Sequence, residues 1–105
     1  MPLPGIEWDE AKNAVNKVLH HIDFEDVQYI FSDSNRLERI DQSTENDSTE
    51  ERVQTLGMVG KVLFAVYTER GEHKRLISAR LATKAERRSY YGYYHIDGSG
   101  WYKAS

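Results

Sequence analysis

Residues 76–88 have the sequence LISARLATKAERR, and the fold of the whole chain follows from this stretch. Its first six residues alternate with the period of two that is typical of a β-strand. One strand face is therefore predicted to be apolar, through Ile77, Ala79 and Leu81, and the opposite face carries Arg80. Thr83 and Glu86 are spaced as a capping box, which predicts a helix that begins at Lys84.

Cationic and aromatic side chains are concentrated around the junction between this strand and this helix. The cations are Arg80, Arg87 and Arg88, and the tyrosines that follow at helical spacing are Tyr90, Tyr91 and Tyr94. A guanidinium group offers five donors in a planar fork that suits phosphate oxygens. The junction therefore has the chemistry of an anion-binding surface. A salt-bridged surface helix beside a tyrosine-lined core is the alternative interpretation.

The bulk properties indicate one intracellular domain. A chain of 105 residues is long enough to bury a core without crosslinks, so we assign residues 1–105 to a single domain. The chain has no cysteine, which excludes disulfides and thiol nucleophiles and fits a reducing compartment. No apolar run has the length of a membrane span, and the first residues do not resemble a signal peptide. We expect a soluble cytoplasmic protein that does not engage a membrane.

Charge is distributed unevenly along the chain. Residues 1–60 contain 5 Lys and Arg against 13 Asp and Glu, whereas residues 61–105 contain 9 against 4. A basic half can bind phosphate on one surface while the acidic half faces a protein partner. The two halves can equally interleave in space, in which case the asymmetry averages out.

The remaining patterns predict an α+β domain. The most apolar run, Val62–Tyr67, is predicted to be the central strand of an antiparallel sheet, with further strands at 36–41, 52–58 and 75–80. Two helices are predicted to start at the N-caps Asp9 and Asp23. We expect the helices to pack on one face of this sheet.

Three further segments are assigned from local composition. The first helix has apolar residues at helical spacing, which predicts a buried stripe of Ala11, Val15, Val18 and Ile22. The polar segment 42–51 is predicted to be a loop. Residues 95–105 form either a docked tail or an extra strand.

Metal chemistry is not indicated by the sequence. The four histidines fit no helical metal-binding spacing, and the adjacent pair His20 and His21 would diverge on a helix. We therefore expect neither a metal site nor a cofactor.

Taken together, the order of residues between about 6 and 91 resembles the BrnT toxins, the toxic half of a type II toxin–antitoxin pair. The resemblance rests on Glu7-Trp8-Asp9 with Lys12, Asn16, His20, Ile22 and Phe24, on Glu51-Arg52 with Thr55 and Gly57, on Tyr67-Thr68-Glu69-Arg70-Gly71, on Ile77-Ser78-Ala79-Arg80, and on Ala82-Thr83 with Glu86-Arg87-Arg88. It implies a RelE-like fold and a metal-independent endoribonuclease that inhibits translation. It also implies a BrnA-like ribbon-helix-helix antitoxin, through which the complex contacts operator DNA.

The chain departs from the family pattern at two positions. Leu19 stands where the family usually has a lysine before a histidine, and Leu81 stands where a lysine usually follows the Ser-Ala-Arg triplet. These departures motivate an alternative hypothesis, in which a catalytically weak or inactive BrnT-like module serves as co-repressor with its DNA-binding antitoxin.

The resemblance also suggests which residues act on RNA. Metal-free RNA cleavage uses the adjacent 2′-hydroxyl as nucleophile and needs a base, an acid and cations for the developing negative charge. The candidate catalytic residues are His20, Arg80, Glu86 and Arg87, and the candidate RNA contacts are Lys12, Arg52, Arg88 and Tyr91. Structural alternatives are a packed His20, a Glu86 used only in the helix cap, and a Tyr91 in the core.

Overall fold

The fold is built on one six-stranded sheet with helices packed against it. The computed structural model describes residues 1–41, 51–92 and 100–104. Its elements are β1 (Ile6–Trp8), α1 (Glu10–His20), α2 (Phe24–Val27), a 3₁₀ turn (Gln28–Ser32), β2 (Leu37–Ile40), β3 (Arg52–Val59), β4 (Lys61–Arg70), β5 (His73–Leu81), α3 (Lys84–Tyr90) and β6 (Tyr102–Lys103). The predicted loop 42–51 and the predicted helical position of Tyr94 lie almost wholly outside the described residues.

The strand order in the sheet is β1-β5-β4-β3-β2-β6. Neighbouring strands from β2 to β5 pair antiparallel, and β6 adds antiparallel to β2. Only β1, among the described strands, pairs in parallel, with Ile6 opposite Lys74 on β5. The α+β class and the largely antiparallel sheet are confirmed, and residues 102–103 of the chain end form an extra strand.

Each face of the sheet carries its own apolar cluster. We call the first face the one whose cluster contains Phe24, Val27, Ile30, Val53, Leu63, Ala65, Tyr67, Leu76 and Ala79. The second face carries the cluster of Leu37, Leu56, Val62, Phe64, Val66, Ala82 and Trp101, against which Tyr90 packs. Thus α2 and the 3₁₀ turn cover the first face, and α3 covers the second. The helices, which we expected together on one face, are thus divided between the two, and Ala82 at the start of the link to α3 already packs in the second-face cluster.

Strict alternation in β5 is interrupted by a β-bulge. Tyr67 is opposite Leu76, but the next residue back on β4, Val66, is opposite Ser78, so Ile77 is the additional residue. Leu76 and Ala79 consequently lie on the first face, while Ile77 packs against the cluster of the second. The predicted grouping of Ile77 with Ala79 and Leu81 on one face is therefore wrong.

Helix α1 docks on the sheet through amides instead of aliphatic side chains. The predicted buried stripe is wrong at Ala11, Val15 and Val18, which are exposed, the valines at 57% and 76%, whereas Ile22 beyond the helix packs against the first-face cluster. The buried residues of α1 are Asn13 and Asn16. The Asn13 Oδ1 accepts from the Phe24 N–H at 2.9 Å, and the Asn16 Oδ1 accepts from the Ala79 N–H at 3.0 Å. These bonds satisfy backbone groups that burial would otherwise leave unpaired.

One glycine allows the 3₁₀ turn to approach the sheet. A Cβ atom on Gly57 of β3 would lie 2.8 Å from the Cβ of Ile30. The absence of that atom lets Ile30 reach complete burial in the first-face cluster.

Candidate functional site

Arg80 is held at the end of β5 on the second face. It is opposite Phe64 in the β4–β5 register, and its guanidinium carbon lies 4.0 Å from the centre of the Phe64 ring. Its Nη1 and Nη2 donate to the two carboxylate oxygens of Glu86 at 2.8 and 3.0 Å. Nη1 also donates to the Leu81 carbonyl at 3.1 Å. The guanidinium is therefore fixed by a bidentate pair and by an aromatic surface.

Glu86 joins this pair to the cap of α3. Its Oε1 accepts from the Thr83 N–H at 2.8 Å, and its own N–H donates to the Thr83 hydroxyl at 3.2 Å, which confirms the capping box. Burial alone would raise the pKa of Glu86, but hydrogen bonds from Arg80 and Thr83 and the charge of Arg80 bring that pKa below its ordinary value. Glu86 thus stays ionised at neutral pH, and its carboxylate positions Arg80.

Two more sequence-predicted cations extend this site along α3. Arg87 is exposed, and its Nη1 donates to the Ala82 carbonyl at 3.0 Å. Arg88 is exposed on the same helix. Tyr91, which is 55% exposed, follows Arg87 by one helical turn and meets the Tyr90 ring edge-on at 5.3 Å. Arg80, Glu86 and Arg87 are therefore brought together at the β5–α3 junction.

Arg52 also lies on the second face, but at a distance from this junction. It pairs with Thr68, which is four residues beyond Phe64 along β4. Its neighbour Val53 belongs to the first-face cluster, so alternation directs Arg52 to the second.

Arg39 was not selected from the sequence, although it also belongs to the second face. Its guanidinium carbon lies 4.1 Å from the centre of the Trp101 ring, and its Nε donates to the Gln54 Oε1 at 2.7 Å. The available signal was the period of two in β2, since Leu37 enters the second-face cluster and Arg39 follows it by two residues.

His20 and Lys12 lie on a different element from Arg80. Both lie on α1, which packs on the first face, and both are exposed. His20 lines a groove of about 350 Å³ together with Leu63 and Leu81. Leu63 belongs to the first-face cluster and is opposite Leu81 in the register. Arg80 does not line that groove, and its side chain packs on Phe64 of the second face instead.

Leu19 and Leu81, the two departures from the family pattern, are both solvent-exposed, at 66% and 50%. Within residues 1–41, 51–92 and 100–104, no three His, Asp or Glu side chains are grouped so that they could hold a metal ion. None of the helices in the same part of the chain is long and apolar enough to cross a membrane.

The fold, the paired arginine and the cationic helix can now be set against known proteins. A family model described as "Ribonuclease toxin, BrnT, of type II toxin-antitoxin system" matches residues 8–86. A search among individual curated proteins finds no match. The chain is thus a ribonuclease toxin of a type II toxin–antitoxin system, a class that implies an RNA substrate and an antitoxin partner. Within that class, it belongs to the BrnT family.

Proposed function

We propose that the protein is a metal-independent endoribonuclease that binds RNA across the second face and cleaves it at the β5–α3 junction. The observation that carries this proposal is the Arg80–Glu86 pair. Both carboxylate oxygens of Glu86 hold Arg80, whose side chain remains 34% exposed. A pre-positioned cation of this kind stabilises negative charge without the cost of reorganising during the reaction.

The nucleophile in this reaction comes from the RNA itself, so the protein does not have to supply one. The 2′-oxygen of one nucleotide attacks the adjacent phosphorus, and the bond to the 5′-oxygen breaks, which leaves a cyclic phosphate and a free 5′-hydroxyl end. The 2′-hydroxyl gives its proton to a solvent water, and the leaving 5′-oxygen takes one from a solvent water. Between these events the phosphorus carries extra negative charge. Arg80 and Arg87 are assigned to that charge, since they flank the same strand-to-helix junction.

Glu86 is assigned to positioning instead of proton transfer. Its pKa lies below the ordinary value, which makes its carboxylate a weak base, and both of its oxygens already accept from Arg80. His20 is left out of the site because it lies on the opposite face of the sheet. Arg52 is assigned to RNA contacts away from the scissile phosphate, and Arg88 and Tyr91 to RNA contacts along α3.

A cleavage assay with purified protein and single-stranded RNA tests the proposal. We expect cleavage by the wild-type protein to persist in excess EDTA, and folded Arg80→Lys protein to cleave much more slowly, since lysine cannot form the bidentate pair. Loss of cleavage in EDTA would overturn metal independence. Wild-type cleavage by the Arg80→Lys protein would overturn the site.

The cellular setting follows from the family. The class provides an antitoxin partner, which we assign to the BrnA-like ribbon-helix-helix type that links the complex to operator DNA. Expression of the toxin alone in the cytoplasm should arrest growth and slow translation, and co-expression of the antitoxin should restore both.

The co-repressor hypothesis remains the second candidate, because Leu19 and Leu81 expose aliphatic side chains where the family usually has lysine. Unimpaired growth together with retained antitoxin binding would favour it over the nuclease.

A further inference from the structure

A large aromatic cleft lies beyond the Arg80 site, at the far end of α3. Its volume is about 1090 Å³, and it opens between α3, the 3₁₀ turn, β2 and β6. Five of its lining residues are aromatic: Tyr29, Tyr90, Tyr91, Trp101 and Tyr102. Four of these five follow residue 86, where the match to the BrnT family model ends.

The cleft combines a buried floor with exposed aromatic walls. Trp101 is 6% exposed, whereas Tyr29, Tyr91 and Tyr102 are each at least half exposed. Large aromatic side chains usually bury most of their surface, so three exposed tyrosines around one cavity form a surface suited to a planar ligand.

Asp33, the acidic residue in the lining of the cleft, already accepts hydrogen bonds from other groups of the protein. The Asp33 Oδ2 accepts from the Met58 N–H at 2.8 Å and from the Tyr90 hydroxyl, and its Oδ1 accepts from the Asn35 N–H. Burial opposes ionisation of Asp33, but these hydrogen bonds and the charge of Lys103 hold its pKa below the ordinary value. Asp33 thus anchors the Tyr90 ring, and Lys103 gives the cleft an exposed cation.

Helix α3 connects the cleft directly to the Arg80 site. Glu86 and Tyr90 are four residues apart, as are Arg87 and Tyr91, so each pair lies on one side of the helix with Cβ atoms about 5–6 Å apart. The first turn of α3 therefore carries the cationic site, and the next turn carries the aromatic wall. Glu86, which holds Arg80, and Tyr90, which lines the cleft, are therefore separated by about one helical turn, a rise of roughly 5.4 Å.

We propose that this cleft binds nucleobases of the RNA substrate next to the scissile phosphate, stacked on its exposed tyrosines. The inference rests on the proposed function for the identity of the ligand and adds where the bases bind. Bases that are splayed out of single strands stack on aromatic side chains, and each stacked base contributes about 1–3 kcal/mol. The volume exceeds what one base needs, because sites for whole drug-sized ligands measure roughly 300–1,000 Å³.

Trp101 provides a direct reporter. The other tryptophan, Trp8, packs edge-on against Phe24 on the first face, so a Trp8→Phe variant leaves fluorescence from the cleft alone. The probe is a short single-stranded DNA, which lacks the 2′-hydroxyl and is not cleaved, and its control is an abasic strand of equal length and charge. We expect the base-containing strand to quench Trp101 and the abasic strand not to. Equal binding of both strands, measured by anisotropy and without quenching, would overturn the proposal.

Substitutions of the walls test the same surface. Tyr29→Ala and Tyr91→Ala should each weaken binding of the DNA probe by about 5- to 150-fold, equivalent to the stacking of one base. Tyr91→Phe should retain the wild-type affinity, because the ring face is kept. Val18→Ala, an exposed apolar position on the first face, serves as the matched control with unchanged affinity.

The outcomes separate this inference from the proposed function. Tyr29→Ala should raise the KM for RNA cleavage, whereas Arg80→Lys should lower kcat. Unchanged KM and probe affinity in the tyrosine variants, with kcat still lost in Arg80→Lys, would overturn the cleft and leave the nuclease standing. Base-dependent quenching by a protein that cleaves no RNA would support the cleft and overturn the nuclease. Quenching of Trp101 by purified antitoxin alone would assign the cleft to the protein partner.

Discussion

Arg80 and Glu86 join the proposed RNA-cleavage site to the cap of α3 through one pair of side chains. Sequence patterns alone indicate a cation at a strand end and a glutamate in a helix cap, as two separate features. The structure joins them, because the cap residue is also the partner of the cation. Removal of either side chain therefore affects two properties, and a single variant cannot distinguish them.

A double-mutant cycle resolves this ambiguity. Arg80→Ala leaves the Glu86 carboxylate, which is 12% exposed, without its cation, and should cost about 1–3 kcal/mol of unfolding free energy. It should also slow RNA cleavage on the order of a hundredfold. Adding Glu86→Gln to Arg80→Ala should recover part of the stability and none of the cleavage. Urea unfolding and a cleavage assay measure both quantities, and recovered cleavage in the double variant would make Arg80 purely structural.

The helix cap gives a second prediction at this scale. Thr83→Ala removes the hydroxyl that accepts from the Glu86 N–H, and should cost about 1 kcal/mol of unfolding free energy with little change in kcat. Thr83→Ser keeps the hydroxyl and is the control. A loss of cleavage at unchanged stability would show that Thr83 acts on the substrate.

Acid should weaken the fold through Glu86. Its pKa in the folded protein lies below the ordinary 4.5, so the unfolded chain binds more protons as the pH falls below that value. The resulting stabilisation is complete above about pH 4.5 and is lost as the pH drops through the folded pKa. Asp33 behaves in the same way below its ordinary value of 3.8. Urea unfolding at several pH values should show a shallower acid slope for Glu86→Gln than for wild type, and identical slopes would contradict this account.

At the scale of elements, the sequence pattern of α1 predicts that a helix forms but not which of its sides is buried. Its helical spacing predicts the helix correctly, and Asp9 caps it as expected, with its side chain accepting from the Ala11 N–H. The spacing does not reveal which side is buried. A helix can dock through hydrogen bonds from amides to the backbone of its neighbours, and no pattern of apolar residues records such bonds. The sequence pattern of β5 does not predict its bulge either, because the bulge arises from the way β5 pairs with β4.

The inverted burial of α1 predicts a contrast between two substitutions. Asn16→Ala removes the acceptor for the Ala79 N–H and the donor to the Ile22 carbonyl, and should cost about 2–3 kcal/mol of unfolding free energy. Val18→Ala, in the stripe that the sequence indicates as core, should change it by less than about 0.5 kcal/mol. Denaturant unfolding of both variants measures the two changes in unfolding free energy. A larger cost at Val18 would mean that the aliphatic side of α1 is buried after all.

For the molecule as a whole, the candidate residues are divided between the two faces of the sheet, with His20 on the first face and Arg80 on the second. The resemblance to BrnT toxins places His20 and Arg80 in one motif order, but His20 on α1 lines a groove of the first face, and Arg80 on β5 packs on Phe64 of the second. Motif order along a chain carries no information about faces, so this part of the site was not predictable. The β5–α3 junction was predictable, because strand, cap and helix are contiguous in sequence.

His20→Ala therefore tests this division between the two faces. Removal of a general acid or base typically slows an enzyme by about a hundredfold or more. Since His20 lies on the first face and Arg80 on the second, we expect replacement of His20 to leave kcat for RNA cleavage close to wild type. A hundredfold loss in a folded His20→Ala protein would show that RNA wraps around the sheet, and the proposed site would then be wrong.

The parallel pairing of β1 with β5 affects how the protein folds during its synthesis. Trp8 pairs with Leu76, and the Asn16 Oδ1 accepts a hydrogen bond from the Ala79 N–H. Residues in the first fifth of the chain therefore contact residues in its last third. Contacts between such distant segments form slowly, because a long loop must close before they stabilise anything. β1 and α1 therefore stay without these partners until β5 has been synthesised, and the sheet can be completed only after that strand is available.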